Sequence, residues 1–120
     1  MSEELLRAAD EAAQSAYAPY SNFFVGAVAR ARDGRVFAGV NVENAAYPLG
    51  ICAEKCCIGA AAAAGVKPGD LEEIAITASP CGGCRQWLAE WRLDRVTYRR
   101  GNGEVVTVTP ADLLPDSFVL

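Results

Sequence analysis

Cys52, followed some thirty residues later by Cys81 and Cys84, offers three thiolates to a single metal ion. Zinc held by three protein ligands keeps one tetrahedral position open, which is the mark of a catalytic rather than a structural site. Glu54 lies two residues beyond the first of these cysteines, so a carboxylate stands beside that open position. A Lewis acid with a carboxylate next to it is the minimum equipment for hydrolytic chemistry. The chain contains no histidine, and an all-sulfur ligand set is the only conventional zinc site open to it.

The same residues admit two blander readings. Cys81-Gly82-Gly83-Cys84 follows an apolar strand and precedes a helix, as in a thioredoxin-type redox site. That reading leaves Cys52 and Glu54 without a role. Alternatively, Cys56 sits one helical turn after Cys52 and could close a four-thiolate structural site with no chemistry. Against it, one helix rarely aims both positions at one ion without distortion, so Cys56 and Cys57 read better as small core or interface residues. The catalytic reading places two helix N-termini at the metal, one carrying Cys52 and one carrying Cys81 and Cys84, with positive ends that stabilise thiolates. Three thiolates on Zn²⁺ leave a net negative charge, so nearby cations are wanted. Lys55 and Arg85 each directly follow a ligand motif, although either could equally be solvated surface.

The elements that must carry these side chains can be read from pattern. Ser2-Glu3-Glu4 resembles a helix start with an acidic first turn, and Leu5, Leu6, Ala9, Ala12, Ala13 and Ala16 share one face of a helix over residues 2–16. Residues 24–31 and 35–42 form two strands around the turn Asp33-Gly34. A loop over 41–50 delivers Cys52 to a second helix ending near Gly65. Residues 71–78 make a third strand, whose Ile74-Ala75-Ile76 run suggests burial. A third helix spans 81–91, a fourth strand 95–99 and a fifth 104–109. Pro110 opens a short last helix through residue 114. The order αββαβαββα predicts an α/β fold, a three-layer α-β-α sandwich around a five-stranded mixed sheet.

Bulk composition narrows the function. With 120 residues the chain is expected to be a single domain over 1–120, and its 52% hydrophobic fraction, much of it alanine, supports a real core. The apolar stretch over 58–66 is too short to span a bilayer. The N-terminus lacks the basic and apolar regions of a signal peptide. Five cysteines, an odd and clustered set, fit metal ligation in a reducing cytoplasm better than a disulfide framework. A net charge of −4 argues against nucleic acid as partner, so the substrate is expected to be small.

Five segments together resemble the small homotetrameric zinc-dependent cytidine deaminases: 19–27 (Pro-Tyr-Ser-x-Phe-x-Val-Gly-Ala), 41–45 (Asn-Val-Glu-Asn-Ala), 52–54 (Cys-Ala-Glu), 79–86 (Ser-Pro-Cys-x-x-Cys-Arg-Gln) and 113–118 (Leu-Leu-Pro-x-Ser-Phe). Their common order is far more specific than any one of them. The resemblance implies hydrolysis of cytidine and deoxycytidine to uridine and deoxyuridine, one Zn²⁺ per chain on Cys52, Cys81 and Cys84, and Glu54 as a proton shuttle that is not a ligand. It further implies that Asn41 and Glu43 hydrogen-bond the ribose, that Phe23 lies beside the pyrimidine ring, and that Ala45 lines the substrate site. Tyr47 and Phe118 correspond to residues supplied by neighbouring subunits, so the family pattern implies a homotetramer with shared sites, serving pyrimidine salvage.

Three departures qualify the match. Lys55 stands where the family commonly has arginine and offers a point charge in place of a fork of donors. A segment present in many relatives between Ala78 and Pro80 is missing. The alanine-rich helix after Cys52 also resembles the blasticidin S-type deaminases of aminoacyl-nucleoside antibiotics. Those enzymes lack the Asn-x-Glu pair that this chain keeps at 41 and 43, so free cytidine and deoxycytidine are favoured, with the antibiotic class as runner-up. A polynucleotide deaminase fits the acidic charge and the missing histidine less well. A non-catalytic zinc module is the alternative of a different class.

Overall fold

Small residues set the depth at which helices meet the sheet in the computed structural model, which describes residues 2–120. The elements in order are α1 (Ser2–Ala13), β1 (Gly26–Ala31), β2 (Val36–Val40), a 3₁₀ turn (Tyr47–Leu49), α2 (Ala53–Ala63), β3 (Leu71–Ile76), α3 (Gly82–Trp91), β4 (Arg95–Arg99), β5 (Val105–Val108) and α4 (Pro110–Leu113). The five strands form one sheet in the order β2-β1-β3-β4-β5. β3 and β4 run parallel, joined by the crossover through α3, and the other neighbours are antiparallel.

Alternation along the strands sorts the core into two faces. Ala27 and Ala29 of β1, Ile74 and Ile76 of β3 and Val96 of β4 pack with Ile58 of α2 and Leu88 of α3. Val28 and Ala75 point the other way, against Leu5, Leu6 and Ala9 of α1. The result is the three-layer α-β-α arrangement that the element order predicts. Two glycines allow the close approach of helix to strand. A Cβ on Gly26 would lie 2.0 Å from the Ala9 carbonyl oxygen, and one on Gly39 would lie 2.2 Å from the Cys57 nitrogen. The second contact fixes α2, and with it Cys52, against β2. Among the described residues, no helix is long and apolar enough to cross a membrane.

Most departures from the predicted boundaries cluster around one segment. α1 stops at Ala13 and not at 16, because Gln14, Ser15 and Ala16 donate to carbonyls three residues back and the chain then turns away. Tyr17 pairs with Val42, receiving and donating backbone hydrogen bonds with Asn41 and Glu43. β1 begins at Gly26 and not at Phe24, and β2 ends at Val40 and not at Val42. The predicted loop over 41–50 contains the 3₁₀ turn and closes on itself through a Val42–Ile51 pair with two 3.0 Å hydrogen bonds.

Glu73 is an exception to the apolar interior. It is fully buried beneath α1, where it accepts from the Ser2 hydroxyl, from Arg30 at 2.8 Å and from Arg95 at 3.5 Å. Burial opposes the carboxylate, but these partners outweigh it and hold the pKa below the ordinary carboxyl value. A depressed folded-state pKa gives stability that is complete above the unfolded carboxyl value of about 4.3 and is lost as pH falls through the folded pKa. Glu73→Gln is therefore expected to cost about 1.5–3 kcal/mol at neutral pH, the range for hydrogen bonds to charged groups. Denaturant melts at pH 7 and pH 3 check it. The gap between variant and wild type should shrink at the lower pH.

Candidate active site

Both helices that bear the cysteines begin at a cysteine. Cys52 is the N-cap of α2 and Cys81 the N-cap of α3, each in extended conformation, while Cys84 lies in the first turn of α3. Unsatisfied N–H groups at these two helix starts make both places hospitable to negative charge. The Cys84 N–H donates to the Cys81 sulfur at 3.4 Å. Burial works against the Cys81 thiolate, but the N–H groups of Cys84 and Gly83 help to outweigh it, so its pKa falls below the ordinary thiol value. Burial raises the pKa of Cys52 and of Cys84, and the Glu54 charge raises both further.

The three Sγ atoms lie within 4.8 Å of one another, with Cys52 and Cys81 3.9 Å apart. A tetrahedral zinc with ~2.3 Å bonds separates its sulfurs by about 3.8 Å, so the donor set suits that ion in type and in spacing. Cys56 is outside this cluster, and no fourth His, Cys, Asp or Glu joins it among the described residues. That removes the basis for the closed four-thiolate alternative. Cys56→Ser is expected to keep one zinc per chain by metal analysis, whereas Cys84→Ser should lose it. Zinc loss in Cys56→Ser alone would restore the closed site. Cys57 is fully buried, donates to the Phe37 carbonyl at 3.3 Å and has its thiol pushed up to about 12 by burial, as suits an inert core residue.

Glu54 enters from the first turn of α2 and is 3% exposed. Burial pushes its carboxyl pKa upward, with the charge of half-buried Lys55 as a small opposing influence. A carboxyl with a raised pKa beside a metal site is suited to moving protons in both directions. It lines a cavity of about 300 Å³ together with Cys52, Cys81, Phe23, Asn41 and Glu43. Val25, Val42 and Ile51 complete its apolar wall, residues that pattern reading overlooked although each adjoins or sits within a motif.

The pair expected to bind the sugar is already employed in holding a loop. Asn41 accepts from Val25 N at 2.9 Å and donates to Phe23 O at 2.8 Å. Glu43 accepts from the N–H groups of Tyr20 and Ser21 and from the Ser21 hydroxyl. Arg85 differs from the expected role as a cation facing the sulfurs. Its guanidinium donates to Pro80 O at 2.9 Å, Leu113 O at 3.2 Å and Ser79 Oγ at 3.3 Å, bracing the short β3–α3 connection against α4.

Tyr47, Ala45 and Phe118 do not line this cavity. Tyr47 packs edge-on against Tyr20 at 6.1 Å in an adjoining depression. Ala45 is exposed in the loop before it. Phe118 is 69% exposed beyond α3, with its carbonyl held by Gln86 Nε2 at 3.0 Å.

Residues 1–100 match the family model described as the cytidine and deoxycytidylate deaminase zinc-binding region. The chain belongs to this deaminase family. A cytidine deaminase from Sporosarcina psychrophila is 37% identical, over 97% of this chain and 90% of its own. The crystal structure of cytidine deaminase from Burkholderia pseudomallei superposes with a TM-score of 0.91 at 43% identity, covering 98% of this chain and 99% of that one. The enzyme from Mycobacterium tuberculosis gives 0.85 at 39% identity, covering 98% and 97%. A deaminase family defined by a zinc-binding region accounts for the three sulfurs and leaves the redox reading without support.

Proposed function

We propose that the chain is a cytidine deaminase, hydrolysing the 4-amino group of cytidine and deoxycytidine with release of ammonia. The observation that carries this reading is the convergence of the Cys52, Cys81 and Cys84 sulfurs beside buried Glu54, with Cys52, Cys81 and Glu54 on the wall of one cavity. Those three cysteines would hold zinc, which would supply a Lewis acid able to lower the pKa of water. Glu54 takes a proton from the attacking water and passes it to N3 of the pyrimidine as oxygen bonds to C4. The remaining proton on that oxygen travels through the same carboxylate to the exocyclic nitrogen. The C4–N bond then breaks, ammonia departs, and the ring is left with its 4-oxo group. One carboxylate acting first as base and then as acid needs no second titratable group.

Phe23 stands beside the ring, while Asn41 and Glu43 read the sugar. Lys55 offsets part of the negative charge around the sulfurs. The presence of the Asn41–Glu43 pair on the cavity wall favours free nucleosides over a blasticidin-type substrate. Ala45 contributes to the substrate site, Tyr47 and Phe118 serve sites shared between subunits of a homotetramer, and the reduced cytoplasm is the compartment that suits five free cysteines. The test is loss of cytidine absorbance with an equal yield of ammonia, using purified zinc-loaded protein. Tight zinc binding with no ammonia would leave only the non-catalytic zinc module.

A further inference from the structure

The loop before β1 is organised around one hydroxyl group. Glu43 has about four acceptor positions on its two oxygens. Oε1 receives two of the loop's donors, Tyr20 N at 2.9 Å and Ser21 N at 3.1 Å, and is filled. Among the described residues, Oε2 receives only the Ser21 hydroxyl, which leaves it one free position. The Ser21 hydroxyl is itself fixed, because Phe23 N donates to its oxygen at 3.0 Å and so leaves its proton for the carboxylate. Asn22, between the two, adopts a left-handed φ of 57°, and this turn brings the Phe23 N–H back onto Ser21. The Ser21 hydroxyl also heads the interactions that hold the Glu43 carboxyl below its ordinary value.

We infer that Ser21 is a positioning residue for sugar recognition: it fixes the Glu43 carboxylate so that the vacant position on Oε2 meets a sugar hydroxyl. The inference rests on the nucleoside-deaminase reading. Ser21 lies outside the lining of the cavity and acts only through Glu43. Without its hydroxyl the carboxylate keeps the two N–H bonds on Oε1 and loses the restraint on Oε2. The penalty should therefore fall on binding of substrates that possess the sugar hydroxyls. Zinc content and the chemical step should be unaffected.

Steady-state kinetics of Ser21→Ala with cytidine and with 2′,3′-dideoxycytidine separate this from a general loosening of the loop. KM for cytidine is expected to rise about 5–20-fold, the scale of one hydrogen bond, with kcat within about twofold of wild type. KM for the dideoxy analogue should change less than about twofold. Ser21→Thr, which keeps the hydroxyl, should recover most of the loss. Calorimetric binding of uridine and 2′,3′-dideoxyuridine to the zinc-loaded proteins should show the same asymmetry. Should Ser21→Ala fail to fold, Ser21→Cys, of similar shape but a weak donor, carries the same comparison. Equal losses with both nucleosides, or no loss with either, would overturn the positioning role while wild-type turnover left the deaminase reading intact. Wild-type protein inert toward cytidine would overturn both.

Discussion

Glu54→Gln is expected to retain one zinc per chain and to lose at least ~10²–10⁴-fold in kcat, the range for a single general acid–base group. The larger end is favoured because the proposed cycle passes two protons through the same carboxylate. The substitution preserves side-chain shape, and Glu54 is outside the sulfur cluster, so metal content separates a lost proton carrier from a lost site. An amide in place of the buried carboxyl also removes a charge that raises the pKa of Cys52 and Cys84, which should favour thiolate formation and metal retention. Zinc by metal analysis and ammonia by a coupled assay on the same preparation give both numbers. Turnover above about a tenth of wild type would exclude Glu54 as the shuttle.

The strongest features of the fold are local and therefore readable from residue order. Asp33-Gly34 makes its turn with Gly34 at φ 95°, and Gly101-Asn102-Gly103 does so with Gly103 at φ 92°. The Ile74-Ala75-Ile76 run is fully buried in the sheet, and the last helix begins at Pro110 under a Thr109–Asp112 capping box. Cys52, Cys81 and Cys84 could be grouped because thiolates at that spacing have few other uses. What pattern could not supply is the long-range bonding of side chains to backbone. Asn41 takes over the hydrogen bonds of Phe23 and Val25, so β1 starts later than its apolar residues suggest. Arg85 follows a ligand in sequence, yet its fork of donors turns to the carbonyls of Pro80 and Leu113, a destination set by where α4 packs. Ser21 carries no apolar periodicity and adjoins no ligand, so the two hydrogen bonds of its hydroxyl emerge only once the chain is folded.

Mixing two crippled variants should restore activity. Glu54→Ala removes the proposed proton carrier, and Phe118→Ala removes the aromatic expected to close over it from another chain. Phe118 belongs to the surface beyond α3, with its carbonyl tied to Gln86, and is absent from the lining of its own chain's cavity. The exposed side of α2 presents Gly59, Ala60, Ala62 and Ala63, followed by the capping residue Ala64, all small enough for helices of different subunits to approach closely. With both variants refolded together at equal amounts, about one quarter of the sites in a closed symmetric assembly would combine an intact Glu54 with an intact Phe118 of the partner subunit. Activity should then rise above the average of the two parents toward about a quarter of wild type. Cytidine turnover before and after co-refolding measures the gain, and sedimentation reports the assembly. A site built within one chain has no such route to rescue, because every chain in the mixture lacks one of the two groups. A fully active monomer, or mixed oligomers with no gain over the parents, would rule out shared sites and leave Phe118 as an ordinary surface residue.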